Sequence, residues 1–573
     1  MASRSIVASL IVAAAVAGAA PLAGQRADRI ERADARRFYA DDPLWIDDDR
    51  RDTPPVAKQD LSATYDLVEN TFGTPAKSRG PAMNTNTLGE VPDSSWFTNR
   101  LGTRDMTIDE VLTGPSTIEG PAPGTWTVIG RPGSGITPKF TIRDANGVTF
   151  VIKLDPPDAQ ELASSVELIG TKIFHAIGYN VPEDFIASLD PEKLVIAPGT
   201  KFKSKWGDKR PLTMEQVQRW LAQQPRQADG TIRVLASRWV PGQVVGQFRY
   251  AGTRPDDPND IYPHERRREL RGLKVFAAWL NHDDARALNT IDVYVNERGR
   301  RYIRHYLQDF GSILGSGSTD AQSPRAGNEY YIEGKAIGKG LAGLGIAQRD
   351  WMKVQYPDMP SVGNLEADFF EPARWKTEYP HPAFDQMDAA DAFWAARIAS
   401  RFTDEMITRI VESARLSDPR ARDYLTGAII KRRNKVVAHW IGGTNPLDAF
   451  RATTSGGDVT LTFDNAATRL GLAADTAEYR VQFAALDNMS GAERSGGSAV
   501  TGLRELTVPA ETWGPRDLSG FRYVIVSIRT LHEGYPHWAE PIRVTLRERG
   551  GDVTVVGVNR PSGRRAAAKA STS

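Results

Sequence analysis

The sequence predicts an α+β chain, with a two-lobed domain followed by a small all-β, sandwich-like domain. Three observations predict it. Residues 139–154 alternate as a strand hairpin and lead into an apolar stripe with helical spacing. Residues 265–311 read as helix, loop, hairpin and acidic turn. From Asp458 onward, short β-rich runs are punctuated by glycine, proline and asparagine.

In the first lobe, Lys139 to Arg143 reads as a strand and Asp144-Ala145-Asn146-Gly147 as a hairpin turn. Val148 to Leu154 reads as the return strand. Phe150, Ile152 and Leu154 share one face and Val151 and Lys153 the other, so Lys153 projects towards a cleft. From Gln160 to Asn180, the residues Leu162, Val166, Ile169, Ile173 and Ile177 make a helical stripe. Glu161 and Glu167 flank that stripe on opposite sides, and periodicity does not choose which of them meets Lys153. Upstream, Gly130-Arg131-Pro132-Gly133-Ser134-Gly135 is glycine-rich but departs from G-x-G-x-x-G. Gly133, Ser134 and Gly135 are its candidates for covering phosphates.

In the second lobe, Leu270, Leu273, Phe276, Trp279 and Leu280 recur at helical intervals. The string His282-Asp283-Asp284-Ala285-Arg286-Ala287-Leu288-Asn289 follows. Ile291 to Val295 and Tyr302 to Leu307 read as strands joined by the turn Asn296 to Gly299, and the second runs into Asp309-Phe310-Gly311. These residue types suit phosphoryl transfer, which asks for positioning and charge neutralisation. Asn289 and Asp309 offer hard oxygens to magnesium. Asp284 would orient an acceptor hydroxyl and take its proton. Arg286 would hold the transferring phosphoryl group through charge-assisted hydrogen bonds.

His282, Asp284 and Asn289 stand at the offsets of the kinase string H-R-D-L-x-x-x-N, and Val151-Ile152-Lys153 is similar to the V-A-I-K lysine. The chain thus resembles the protein-kinase-like superfamily. The Pro138-Lys139-Phe140 string, the hairpin and a helix ending Gly178-Tyr179-Asn180-Val181-Pro182-Glu183 resemble the HipA-type kinases. Asp284-x-Arg286-x-x-Asn289 is similar to HipA-type and phosphatidylinositol-kinase-like phosphotransferases. The resemblance implies a two-lobed protein-kinase-like fold, with the N-lobe at 116–190 and the C-lobe at 191–445 with inserted segments. It implies ATP and magnesium or manganese as cofactors. Lys153 would touch the ATP phosphates and pair with Glu167. Asp284 would be the catalytic base beside His282 and Arg286, and Asn289 and Asp309 the metal ligands. Asp283 replaces the arginine of the family string, which sets two acids side by side; the spacing to Asn289 favours Asp284.

Residues 312–382, with Gly315, Gly317, Tyr330 and Tyr331, read as irregular, where the resemblance places an activation segment and substrate surface. Phe393, Trp394, Ile398, Phe402, Met406 and Ile410 read as helical core. Lys431-Arg432-Arg433-Asn434-Lys435 reads as a solvated helix face and His264-Glu265-Arg266-Arg267-Arg268 as a solvated helix start. Asp41-Asp42 and Asp47-Asp48-Asp49 lack a calcium-loop register and read as solvated acids. Residues 455–558 read as the sandwich, with Trp513, Tyr535 and Trp538 expected in its core and loop packing. A basic tail, 559–573, carries Arg560, Arg564, Arg565 and Lys569.

With 72 basic and 71 acidic residues, no overall field favours nucleic acid. The absence of cysteine excludes thiol nucleophiles and thiolate metal sites. One arginine, the apolar run Ile6 to Ala20 and small residues after it describe a secretory signal over 1–24, preceding an N-terminal extension at 25–115. The mature chain is expected to have no stable transmembrane span and to be exported, periplasmic or extracellular. Its expected partners are a nucleotide and a protein or small-molecule acceptor. Two functions are in view: an exported phosphotransferase, or a catalytically inactive kinase-like scaffold of the cell envelope.

Overall fold

The computed structural model describes residues 36–47, 49, 51–130, 139–203, 208–333 and 349–561. The expected leader and all but the first three residues of the basic tail lie outside this set.

The first lobe is a six-stranded sheet. Its strands are β1 (Trp126–Gly130), β2 (Lys139–Arg143), β3 (Thr149–Lys153), β4 (Asp184–Leu189), β5 (Leu194–Ile196) and β8 (Ile232–Arg238), and β6 (Lys201–Lys203) with β7 (Lys209–Pro211) forms a separate hairpin. The order is β4-β8-β3-β2-β1-β5, antiparallel except for β1 beside β5. The Asp144 carboxylate accepts the N–H groups of Asn146 and Val148, which closes the β2–β3 turn. That register sets Phe140 opposite Ile152 and Lys139 opposite Lys153. Phe140, Ile142, Phe150 and Ile152 are buried in one cluster with Val217 and Leu221 of the helix Met214–Leu221. The other face of the sheet, which carries Lys153, meets the helix Leu162–Ile177.

The second lobe gathers the helices Arg268–Leu280, Ala389–Ala399, Asp404–Ser413 and Pro419–Gly442. The sequence starts them clearly: Asp388 forms a capping box with Asp391, and Asp418 caps the helix that opens on Pro419. Phe276, Trp279, Phe393, Trp394 and Ile429 fill the core between them, each large side chain contributing about 1.5–3 kcal/mol by leaving water. Ile169, Ile173 and Phe174 of the Leu162–Ile177 helix join this same core. That helix therefore couples the two lobes. A three-stranded antiparallel sheet, β9 (Gln243–Gly246), β10 (Thr290–Glu297) and β11 (Arg300–Leu307), lies beside it in the order β11-β10-β9.

The C-terminal part is all-β. Strands β12 (Leu447–Ser455), β13 (Asp458–Asn465) and β16 (Glu505–Val508) form one sheet, ordered β12-β13-β16. Strands β14 (Glu478–Leu486), β15 (Glu493–Thr501), β17 (Arg522–Leu531), β18 (Ile542–Arg549) and β19 (Asp552–Asn559) form the other, ordered β15-β14-β17-β18-β19. Leu461, Phe463, Val481, Phe483, Val526 and Val544 pack between them. Trp513 is in that core. Trp538 is buried, stacks on Tyr535 at 4.0 Å and donates its indole N–H to the Gly442 carbonyl, so these rings close the junction with the preceding helix. β15 escapes sequence reading because its side chains are mostly exposed and carry no apolar alternation, and β12 because its alternation is only the short run Phe450 to Ala452.

Several charged residues expected at the surface are buried. Asp42 and Asp47 lie inside, and Asp49 accepts the Ser95 N–H at 2.6 Å. The reason is that the N-terminal extension is packed: Phe38 inserts beside Tyr523, and Trp96 and Phe97 enter the second-lobe core. His264, Glu265, Arg267 and Arg268 are buried as well. Arg432 is not on a solvated face; it donates to the Ala278 and Trp279 carbonyls at 2.7 and 2.8 Å, satisfying the end of the Arg268–Leu280 helix. Arg560 is not tail: it lies 3.5 Å over the Phe393 ring and bonds the carbonyls of Asn445 and Leu447. Among the described residues no helix is long and apolar enough to cross a membrane.

Candidate active site

The site forms where the two lobes meet. Lys153, the last residue of β3, points its ammonium into the gap, where Nζ lies 2.5 Å from Glu167 and 3.0 Å from Asp309. The helix begins only at Leu162, so Glu161 sits at its N-cap in the left-handed region, φ 66°, and accepts from Ser417. Glu167, one turn and a half in, is the glutamate that meets the lysine. Asp184 on β4, which sequence reasoning missed, is buried nearby and accepts from Thr171 at 2.5 Å. Two carboxylates thus contact the ammonium, and the charge of a third, Asp184, acts on it. Burial would lower Lys153, but Asp309, Glu167 and Asp184 together raise it. Burial pushes Glu167 and Asp184 above the ordinary carboxylate range. Asp309 is held below that range by Lys153. The charge of Lys139, opposite Lys153 across the β2–β3 ladder, also acts on Asp309.

The loop 282–289 is shaped by its ends. Asn281 terminates the preceding helix in the left-handed region, φ 52°, and His282 N–H returns to the Ala277 carbonyl at 2.8 Å. The Asn289 amide donates to both the carbonyl and the Oδ2 of Asp284, each at 2.8 Å. Its own Oδ1 accepts no hydrogen bond among the described residues, which leaves it to a ligand. Arg286 Nε is 2.6 Å from Asp284 Oδ1, and Nη1 is 3.1 Å from Glu378. Glu378 also accepts from Tyr331. Burial raises Asp284, with Glu378 and Asp309 adding to the effect against Arg286. Asp283 points elsewhere: Gln322 donates to it at 2.8 Å, and burial raises it well above the carboxylate range. Gln322, Tyr331 and Glu378 come from the irregular 312–382 stretch, which has no periodicity to betray them.

His282 does not stand among the reacting groups. It is buried behind the loop, edge-on to Phe310 at 5.9 Å and to Phe174 at 6.1 Å, and burial pulls it down to about 4. It is therefore neutral at pH 7 and acts by packing. Phe310 stacks on Phe174 at 4.7 Å. With Phe310 turned into the core, the chain reverses at Asp309, φ 64°, and presents the carboxylate to Lys153. Gly170 makes room for this: a Cβ there would lie 2.7 Å from both Phe310 and Ile313. Gly170→Val is expected to destabilise the fold by about 1–3 kcal/mol and to lower any transfer activity, because Phe310 cannot move without carrying Asp309. A melting curve beside an activity assay checks both effects, and an active variant with unchanged Tm would show that Phe310 seating is irrelevant.

Magnesium needs hard oxygens and keeps part of its water shell, so two protein ligands suffice when phosphates supply others. An ionised Asp309, about half exposed in its side chain, and the free Oδ1 of Asn289 fit that demand. Among the described residues no group of three or more His, Cys, Asp and Glu forms a ready-made metal cage. The space now open around Lys153, Glu167, Asp309, Gly311 and Ser318 is about 10 Å³, the room of one water molecule. Gly133, Ser134 and Gly135 lie outside the described residues.

No family model and no curated protein sequence matches the chain. Among solved structures, the crystal structure of a Helicobacter pylori proinflammatory kinase, CtkA, is similar at 14% identity and a TM-score of 0.30, over 55% of this chain and 99% of that one. A likeness of that strength carries no inference about this chain, so the site's own geometry has to.

Proposed function

We propose that this protein is an exported, kinase-like phosphotransferase of the HipA and phosphatidylinositol-kinase type. It moves the γ-phosphate of ATP to a hydroxyl acceptor with the help of magnesium. The observation that carries this reading is Lys153 held between Glu167 and Asp309 at the mouth of the Asp284–Asn289 loop. A lysine on a central strand, a helix glutamate to hold it and an aspartate for a metal are the parts such a transfer requires. Here they come from β3, from the helix shared by both lobes and from the turn after β11.

In this reading Lys153 would draw the phosphates, and Asp309 and Asn289 would hold magnesium, which would supply charge neutralisation for the transfer. Arg286 steadies the transferring group, and Asp284 takes the acceptor's proton. The Ile6 to Ala20 run supports export. A binding scaffold without turnover is the second reading, favoured by the closed space at Lys153 and by the double hold of Glu378 and Asp284 on Arg286.

Incubation of the chain with γ-labelled or α-labelled ATP and magnesium or manganese, beside Asp284→Ala, tests this. Label from the γ position, reduced on the order of 10²-fold or more in the variant, is the expected result. Label from the α position would make the reaction nucleotidyl transfer. No label and no thermal shift with ATP would leave the scaffold.

A further inference from the structure

A second cavity, of about 190 Å³, is lined in part by Arg286, whose Nε lies 2.6 Å from Asp284. Its walls include Asp66, Glu69 and Asn70 of the helix Ala63–Phe72, Arg286 of the loop, and Tyr379 and His381 of the following segment. We propose that this cavity is the acceptor pocket of the transferase and that it takes a neutral monosaccharide. The proposal rests on the phosphotransferase reading and names its substrate class.

Size is the first argument. Pockets for drug-sized ligands run from about 300 Å³ upward, and this one is smaller, which suits a single sugar ring. Access is the second. The helix Ala63–Phe72 is bolted over the cavity by Asp66 to Tyr379 at 2.5 Å and by Glu69 to Arg249 at 3.0 Å. An extended protein segment would have to break both contacts; a small molecule does not.

The third argument is chemical. His381 is buried, and its Nδ1 accepts the Phe384 N–H at 3.2 Å, so the neutral ring carries its proton on Nε2. That Nε2 is buried, with the Ala285 carbonyl beside the ring. Donors (Lys77, Arg286) and acceptors (Asp66, Glu69) line one small space, with the His381 ring beside them. A hydroxyl is the group that both donates and accepts, and a ring of hydroxyls uses such a wall fully. Tyr250, packed 4.1 Å from His381, offers an apolar edge for the C–H face of a sugar. The cations and carboxylates are of similar number, so no net field selects a charged ligand.

In the step itself, the sugar hydroxyl oxygen bonds to the γ-phosphorus of ATP. The bond from that phosphorus to the β–γ bridging oxygen breaks, ADP leaves with that electron pair, and the hydroxyl proton passes to Asp284. Arg286 lines the cavity and contacts Asp284, and so joins the place of the sugar to the proposed base.

The test uses the full chain with γ-labelled ATP, magnesium and a panel of neutral hexoses and pentoses led by D-glucose and D-xylose. Casein serves as the protein acceptor. Saturation-transfer NMR of the same sugars, without nucleotide, reads binding directly. The expected result is a labelled sugar phosphate, with sugar KM raised about tenfold in Tyr379→Phe, which keeps the shape of the wall, and more in Asn70→Leu, which fills it. Label on casein or on the chain itself, with no sugar labelled and no saturation transfer, overturns the sugar pocket and leaves the phosphotransferase standing. No label anywhere and no thermal shift with ATP overturns both.

Discussion

Asp309→Asn is expected to lower phosphoryl transfer on the order of 10³-fold while leaving the melting temperature within about 2 °C of the parent. The substitution keeps shape and removes one charge. That charge faces Lys153 at 3.0 Å and, in the proposed reading, would also hold the metal. An amide oxygen can still accept from the lysine, so the fold loses little. It binds magnesium far more weakly than a carboxylate does, so the transition state loses its main charge neutraliser. The side chain is about half exposed, which is a further reason for a small stability effect. Initial rates with saturating ATP, beside a thermal melt of the same sample, decide the matter. Unchanged transfer would remove Asp309 from the mechanism and with it this assignment of the site.

Asp260→Asn is expected to be the most damaging single change to stability, costing about 3–5 kcal/mol of the 5–15 kcal/mol that holds a typical domain. Asp260 is fully buried. It takes His264 Nε2 at 2.7 Å, Arg267 at 3.2 Å and the Arg254 N–H at 2.6 Å. His264 Nδ1 in turn faces the Arg249 carbonyl, so both ring nitrogens face acceptors and the ring is an imidazolium. Arg267 lies 4.4 Å over the Trp96 ring and has Glu269 as its other acid, at 3.6 Å. Removing the Asp260 charge leaves the buried His264 cation without its carboxylate and Arg267 with Glu269 alone, and turns an amide N–H towards one of them.

The pH window follows from the directions of the shifts. Burial would lower His264, but Asp260 outweighs it and raises the group above 6.5. Its contribution is therefore full below about pH 6.5 and is lost as pH rises through the raised value. Burial would raise Asp260, but His264 and Arg267 hold it well below the carboxylate range. Its contribution is present above about pH 4 and is lost as pH falls through the depressed value. The gap in urea midpoint between parent and variant should be widest between about pH 4 and 6.5. A gap that does not change with pH would mean that the ring is neutral and the network is held by hydrogen bonds alone.

The readings that succeeded from sequence are local ones. Alternation in β3 fixes which way Lys153 points, because side chains on a strand change face at every residue. The stripe from Leu162 to Ile177 fixes a helix, and the string from His282 to Asn289 fixes a loop knotted by its own asparagine. The choice between Glu161 and Glu167 was not local. It depended on where the helix begins, and the helix begins at Leu162, which leaves Glu161 outside it.

The sequence by itself therefore determined the order of elements, the lysine strand, the acidic loop and a β-rich C-terminal part, since each is written in a period or a spacing within about 20 residues. Only the tertiary structure decided which charges are buried. His264, Arg267, Arg432 and Arg560 look solvated in a linear reading because their partners lie on remote segments or on backbone carbonyls that carry no side-chain signal. It also decided that His282 packs and that Asp284 is held by Asn289 and Arg286, and it brought Asp184 near Lys153 and Glu378 and the helix Ala63–Phe72 near Arg286. Long-range pairing of this kind is set by how whole faces pack, and no periodicity along the chain encodes it.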